Sequence, residues 1–422
     1  MIFSKGKKQI LILYGSTIIG VLLGVVSSVI NTRCLSPEKY GDVRYIQNLI
    51  SFISSILLFG YLTSGSRLLA LSKDENYSRK IRGAIVSIVL ITVGLLSLSM
   101  LSLYVYSIIN GHSNLSSLYL VSVFLGGNVI LLNYINTSAQ GDNHIGRIAM
   151  ARLLPSLIYV LLALLVYRFY SATPLLMLSL TNGISVLVLS ILICSTKPDF
   201  SDIKQSLKLL NEENKKYGRQ VYIGSLAGVS TSYIAGLTLS YYCIDNTNVG
   251  FYTLALTIAT PLSLLPSIIG TTYFKQFANQ KKISNKIIIG SVLMTVITLI
   301  IFIVMIDYVV QLLYSDSYKS VSTYASFLAI ATSLHGLGDM FNRFLGAHGQ
   351  GKQIRNGAIV CGIIITIGSV LLVCCWQIIG AIITKIIGSA TYMTMMIYYY
   401  VKFTHKKKND IFLTSSLFCA IT

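Results

Sequence analysis

Apolar residues in this chain come in long blocks, without the strict alternation of strands or the narrow stripe of a water-facing helix. The first block runs from Gln9 to Ile30. Others follow at 44–64, 83–107, 117–138, 149–169, 172–194, 220–243, 251–273, 287–309, 321–345, 356–375 and 378–401. Each is close to the roughly 20 residues needed to cross the hydrocarbon of a bilayer. Lipid offers no partner to a free amide or carbonyl, so each block is predicted to be helical. The first is too long for a signal-peptide core and lacks a small-residue cleavage site, so it is read as a span. The pattern predicts an all-α polytopic membrane protein of about twelve transmembrane helices.

A second pattern divides these blocks into two sets of six. Ser16, Gly20, Gly24 and Ser28 recur every four residues in the first block. Gly224, Gly228, Ser232 and Gly236 do the same in the seventh, at an offset of 208. At the same offset Arg67 maps onto Lys275, and Ala139, Gly141 and Arg147 map onto Ala347, Gly349 and Arg355. Gly41 maps onto Gly250 at 209. The expected organisation is a six-helix lobe at 1–200, a linker at 201–219, a second six-helix lobe at 220–402 and a tail at 403–422. Six spans per lobe give both the same orientation, as in parallel-repeat transporters, with a substrate route in the cleft between lobes. In the linker, Ile203, Leu207 and Leu210 have helical spacing, which reads as an amphipathic helix on the membrane surface or a solvated connector.

Composition agrees with this reading and changes one part of it. Apolar residues make up 54% of the chain and charged residues 11%, against roughly 25% charged in soluble domains. The formal charge of +19 raises the question of nucleic acid. With the N-terminus inside, however, 27 of the 33 lysines and arginines lie on inner segments or in the adjoining turns of the spans. Outer segments hold only Arg33, Lys39, Arg44, Arg168 and Lys319. This asymmetry is the positive-inside rule; it makes most of the charge topological, excludes a nucleic-acid role and predicts cytoplasmic termini. The seven cysteines show no zinc spacing, and no nucleophile elbow, HExxH, P-loop or dinucleotide fingerprint is present, so neither metal nor cofactor is expected. The outer loops are too short for a catalytic domain.

The candidate chemistry lies in ionisable residues placed where they are costly. Asp339 and Arg343 are four residues apart in the tenth span, and His335 and Asn342 extend the stripe. They read either as a structural ion pair or as a coupling site at which Asp339 exchanges a proton or sodium ion. Lys385 lies nine residues beyond Trp376, roughly 13 Å into the last span, too deep for easy snorkelling. Arg33 and Arg44 flank the first outer hairpin, and Arg67 and Lys275 sit at the inner ends of spans two and eight. If these cations face the cleft, they suit a phosphate group, with Arg able to grip it by two donors. Pro261 and Pro266 predict a bend in the eighth span.

Four segments stand out: LSPEKYGDVRYIQNLISFISSILLFGYLTSGSRLLA at 35–70, NVGFYTLALTIATPLSLLP at 248–266, and the turns AQGDNHIGR at 139–147 and AHGQGKQIR at 347–355. They resemble the O-antigen flippases of the multidrug/oligosaccharidyl-lipid/polysaccharide exporter superfamily. The resemblance implies two lobes in a bacterial inner membrane that cycle by alternating access. It also implies a polyprenyl-diphosphate-linked oligosaccharide as substrate, ion coupling, surrounding membrane lipids and polysaccharide polymerase machinery as partners. A drug or small-metabolite antiporter of the same superfamily and a membrane-bound polymerase or glycosyltransferase are the rival readings; intramembrane charge that leans cationic favours an anionic substrate.

Overall fold

The structure is a computed structural model. It describes the backbone of residues 5–419 apart from Lys73 and His112, and the side chains of 12, 15–72, 74–111, 115–229, 231–274 and 276–405. Most of the expected tail at 403–422 therefore lies outside the described side chains.

The regular elements among the described residues are all helical, with no strand. In chain order the helices are α1 (Lys5–Cys34), α2 (Pro37–Leu57), α3 (Tyr61–Leu71), α4 (Glu75–Ile109), α5 (Ser113–Leu125), α6 (Asn128–Gly141), α7 (Ile145–Phe169) and α8 (Pro174–Cys194). Then follow α9 (Ile203–Glu213), a π-helical stretch Asn214–Gly218, α10 (Arg219–Tyr242), α11 (Thr247–Ala259), α12 (Pro261–Thr272), α13 (Phe274–Ala278), α14 (Asn285–Leu313), α15 (Val321–Ala347) and α16 (Gly351–Cys419).

Eight helical stretches, with α5–α6 and α11–α12 each taken as one, are long and apolar enough to cross a membrane, and α2 with α3, bent by 62°, passes as a ninth. Helix α16 reverses at Gln377, whose φ is 47°, and folds back so that the Cys361 thiol donates to Gly388 O at 3.2 Å. It therefore supplies two crossings, while α10 and α15 have membrane length at 24 and 27 residues. Counted this way, the described residues hold twelve membrane-length segments. The outer surfaces of these helices need an apolar solvent. In α14 only 11% of the most apolar window is buried, and Ile297, Ile300 and Val304 lie exposed mid-helix. The chain is a multi-pass membrane protein.

The described residues divide into two compact units, Met1–Val229 with Cys243–Gly250, and Ser230–Tyr242 with Phe251–Thr422. In the first, α1 packs along α7 and α3 along α6, and the linker helix α9 rests on α3 and α4. The Ile203, Leu207 and Leu210 face of α9 is the covered one, with Leu210 fully buried, so this amphipathic helix spends its apolar side on the bundle. In the second unit α15 is the central helix, packed against α12, α14 and α16. Within the eighth span α11 gives way to α12 at Pro261, and the Thr332 hydroxyl donates to Ala259 O at 3.1 Å beside this point.

The repeat-related glycines Gly41 and Gly250 lie against each other. A methyl group on Gly41 would fall 1.8 Å from Asn246 O, and one on Gly250 would fall 3.3 Å from the Gly41 Cα. Beside them Asn246 Nδ2 donates to Asp42 Oδ1 at 2.8 Å. Backbone on both sides leaves nowhere for a side chain to go. Gly41→Ala is expected to cost about 1–3 kcal/mol by overpacking, read as a lower thermal midpoint of the detergent-solubilised protein; an unchanged midpoint would refute this close approach.

Candidate functional site

Helix α15 puts His335, Asp339 and Asn342 on one face, at steps of four and three residues. The returning segment of α16 brings Lys385 and Tyr392, seven residues apart, to the same face. Tyr392 is the hub. Its buried hydroxyl donates to Asp339 Oδ1 at 2.9 Å and accepts from Asn342 Nδ2 at 2.6 Å. The His335 ring stacks on the Tyr392 ring with centroids 4.4 Å apart and 18° between planes. Lys385 Nζ donates to Thr231 O at 3.2 Å, and its charge reaches both His335 and Cys361. A carboxylate, an imidazole, an amine and a phenol thus share one half-buried cluster of the second unit. Such a group can hold and pass a proton, and its amine can attract an anion.

The structure corrects the expected pairing of Asp339 with Arg343. Among the described residues these two form no ion pair; Arg343 is exposed, and Tyr392 occupies the carboxylate instead. A helix turns 100° per residue, so a four-residue step is rotated by about 40°, enough here for Arg343 to leave the buried face. Arg67 also differs from its cleft reading. It is ion-paired with Glu213 and lies over the Tyr217 ring at 5.1 Å, so it ties α3 to the linker. The side chain of Lys275 lies outside the described residues.

Arg44 belongs to a separate polar cluster in the first unit. Its Nε donates to Tyr40 Oη at 2.8 Å and one terminal nitrogen donates to Gln47 Oε1 at 3.0 Å. Tyr159, close enough to feel the Arg44 charge, donates to Asn31 Oδ1 at 2.5 Å. Arg33 is exposed at the last turn of α1. Of the seven candidates whose side chains are described, then, His335, Asp339 and Lys385 converge, while Arg44 and Arg67 are held elsewhere and Arg33 and Arg343 are exposed.

The most heavily bonded charge in the first unit was not among those candidates. Arg82, 5% exposed, donates to Asp142 Oδ2 at 3.0 Å, to Glu75 Oε1 at 2.7 Å and to Thr196 O at 3.1 Å. Arg147 approaches Asp142 at 3.8 Å. Neighbouring Arg79 donates to Lys197 O at 3.0 Å, and Lys80 meets Asp202 at 2.5 Å. In the same loop the Ser201 amide donates to Asp199, holding that carboxyl below its ordinary range. The network clamps α4, α6 and the start of the linker. Asp142 stands in the turn AQGDNHIGR, where an acid beside two basic residues was a visible signal; Tyr392, in an aromatic-rich apolar span, gave none.

Residues 7–274 match the family model for polysaccharide biosynthesis proteins. The chain belongs to this family. The match includes Arg44, Arg67 and the Arg82 clamp, while the His335–Asp339–Lys385 group lies beyond it. No curated protein matches the chain in sequence. In fold, this family member is similar to an inward-facing multidrug resistance MATE family transporter of the MOP superfamily, with TM-score 0.71, 14% identity, and 95% of this chain and 99% of that one covered. It is likewise similar to the lipid II flippase MurJ in an inward closed conformation, with TM-score 0.68, 13% identity, and coverage of 93% and 89%. The MATE multidrug transporter DinF-BH in complex with R6G follows at TM-score 0.63, 12% identity, and coverage of 93% and 94%. At these identities the likeness establishes the fold, that of the MOP transporters.

Proposed function

We propose that this protein flips a polyprenyl-diphosphate-linked oligosaccharide from the cytoplasmic to the periplasmic leaflet of a bacterial inner membrane. It does so by alternating access, driven by a proton or sodium gradient, with both termini cytoplasmic. The observation that carries the reading is membership of a polysaccharide biosynthesis family on a transporter fold. A chain of this build contributes to polysaccharide assembly by moving an intermediate across the membrane, not by catalysis, and it hands that intermediate to the polymerase machinery.

The rival, a multidrug antiporter, has the same fold. What separates them is charge. An exporter of cationic drugs is served by an acidic or apolar pocket, whereas here Lys385 brings a cation to the buried group, which suits a diphosphate. The test is complementation of surface polysaccharide in a strain lacking the gene, with membrane levels measured in parallel. Lys385→Ala is expected to lower polysaccharide roughly tenfold, equivalent to about 1.4 kcal/mol, and Lys385→Arg to retain more. Full polysaccharide with Lys385→Ala at normal membrane levels removes the cationic argument, and failure of the wild-type gene to complement removes the flippase reading itself.

A further inference from the structure

The second span breaks without a proline. Between α2 and α3 the backbone turns at Phe59 (φ 47°) and Gly60 (φ 83°), which strips carbonyls of their helical partners. Two side chains supply replacements. The Tyr222 hydroxyl donates to Ile56 O at 2.5 Å and Asn214 Nδ2 donates to Phe59 O at 3.2 Å, whereas Gly60 O keeps the Ser64 amide as its helical partner at 3.1 Å. Asn214 comes from the π-helical stretch, and that stretch is pressed against the break: a methyl on Gly60 would fall 2.4 Å from Gly218 O. Irregular backbone at membrane depth persists where it is buried in protein or lines a cavity, and π-helical turns recur at functional sites.

Here there is a cavity. It measures about 440 Å³ and is lined by Phe59, Tyr61, Asn214, Arg219, Tyr222 and Ile223. Its walls are aromatic and aliphatic, with the Phe59 and Tyr222 rings 6.0 Å apart, and Phe59 and Ile223 are exposed at 46% and 62%. Among the described residues its one charged lining residue is Arg219, at the first position of membrane helix α10. Lys215 and Lys216 are exposed one turn earlier. The neighbouring acid Glu213 is taken by Arg67, and among the described residues none of these three cations meets a carboxylate. The remaining need is for an anion carrying an apolar tail, presented at a membrane boundary.

We infer that this groove holds an anionic phospholipid, its phosphate gripped by Arg219 and flanked by Lys215 and Lys216, with an acyl chain along Ile223 and Phe59. Arginine offers phosphate a two-pronged donor geometry, and basic clusters beside a membrane helix draw anionic lipid. The site is independent of the transported molecule. The test is native mass spectrometry of the full-length detergent-solubilised protein titrated with phosphatidylglycerol or with phosphatidylcholine of the same chains. Phosphatidylglycerol is expected to be retained in preference. Arg219→Gln should weaken that retention about fivefold, and Lys215→Gln with Lys216→Gln by about a further twenty-fivefold, roughly fivefold for each cation. Arg168→Gln, which removes an exposed cation from the end of α7, should leave it unchanged. Equal retention of the two lipids, an equal loss with Arg168→Gln, or displacement of phosphatidylglycerol by a polyprenyl diphosphate would each overturn the assignment.

Discussion

Replacing Arg82 with methionine is expected to destabilise the protein by about 3–5 kcal/mol, the usual result of removing one partner from a buried ion pair. The Asp142 side chain is only 5% exposed. Without Arg82 its remaining cation is Arg147, at 3.8 Å, beyond hydrogen-bond range. Thr196 O loses a donor as well. Glu75, 70% exposed, contributes little, since water screens it. The damage should spread beyond one residue because the clamp joins α4 to α6 and to the loop leading into α9. A thermal midpoint well below wild type is expected for Arg82→Met, with much of the loss recovered when Asp142→Asn is added, because the second change removes the stranded charge. An Arg82→Met protein as stable as wild type, or a double variant no better than the single one, would show that the network does not hold the unit together.

Much of the fold is legible in the sequence because a bilayer imposes a length on every crossing. Of the two prolines expected to bend the eighth span, Pro261 stands at the first position of α12 and Pro266 lies inside it. Gln377 falls in the gap between the expected spans at 356–375 and 378–401. The break at Phe59 and Gly60 was not legible, since no proline marks it: its support comes from Asn214 and Tyr222, more than 150 residues away in sequence. The helical spacing of Ile203, Leu207 and Leu210 announced an apolar face, but not whether lipid or protein covers it.

The candidate site divides along the same line. His335, Asp339 and Asn342 could be recognised as a polar face because helical spacing is local, and Lys385 because a deep lysine is costly. Their convergence depends on α16 folding back against α15, which no spacing encodes, and so the tyrosine at the centre went unrecognised. Arg343 shows the converse. Adjacency on a helix suggested a pair, yet an exposed arginine gains little by pairing, whereas the Tyr392 hydroxyl, already buried, needs a partner.

This geometry sharpens what Asp339→Asn should do. Because Arg343 makes no ion pair with Asp339, the change strands no cation, and the amide keeps an acceptor oxygen for the Tyr392 hydroxyl. Folded protein in the membrane is therefore expected to stay near wild-type levels. What the amide cannot do is carry charge or exchange a proton. If Asp339 couples transport to the gradient, gradient-driven flipping should fall by roughly tenfold or more, or about 1.4 kcal/mol on the barrier. Tyr392→Phe keeps the ring on which His335 stacks but removes the hydroxyl that bonds both Asp339 and Asn342. It should give a smaller loss of transport, together with a modest loss of stability of about 1.5–3 kcal/mol for a hydrogen bond to a charged group. Flipping by reconstituted protein, with and without an imposed gradient, separates the cases. Wild-type flipping by Asp339→Asn under a gradient would reject the coupling role. Loss of folded Asp339→Asn protein, restored by adding Arg343→Gln, would mean that the two residues are paired after all and that the carboxylate serves the fold.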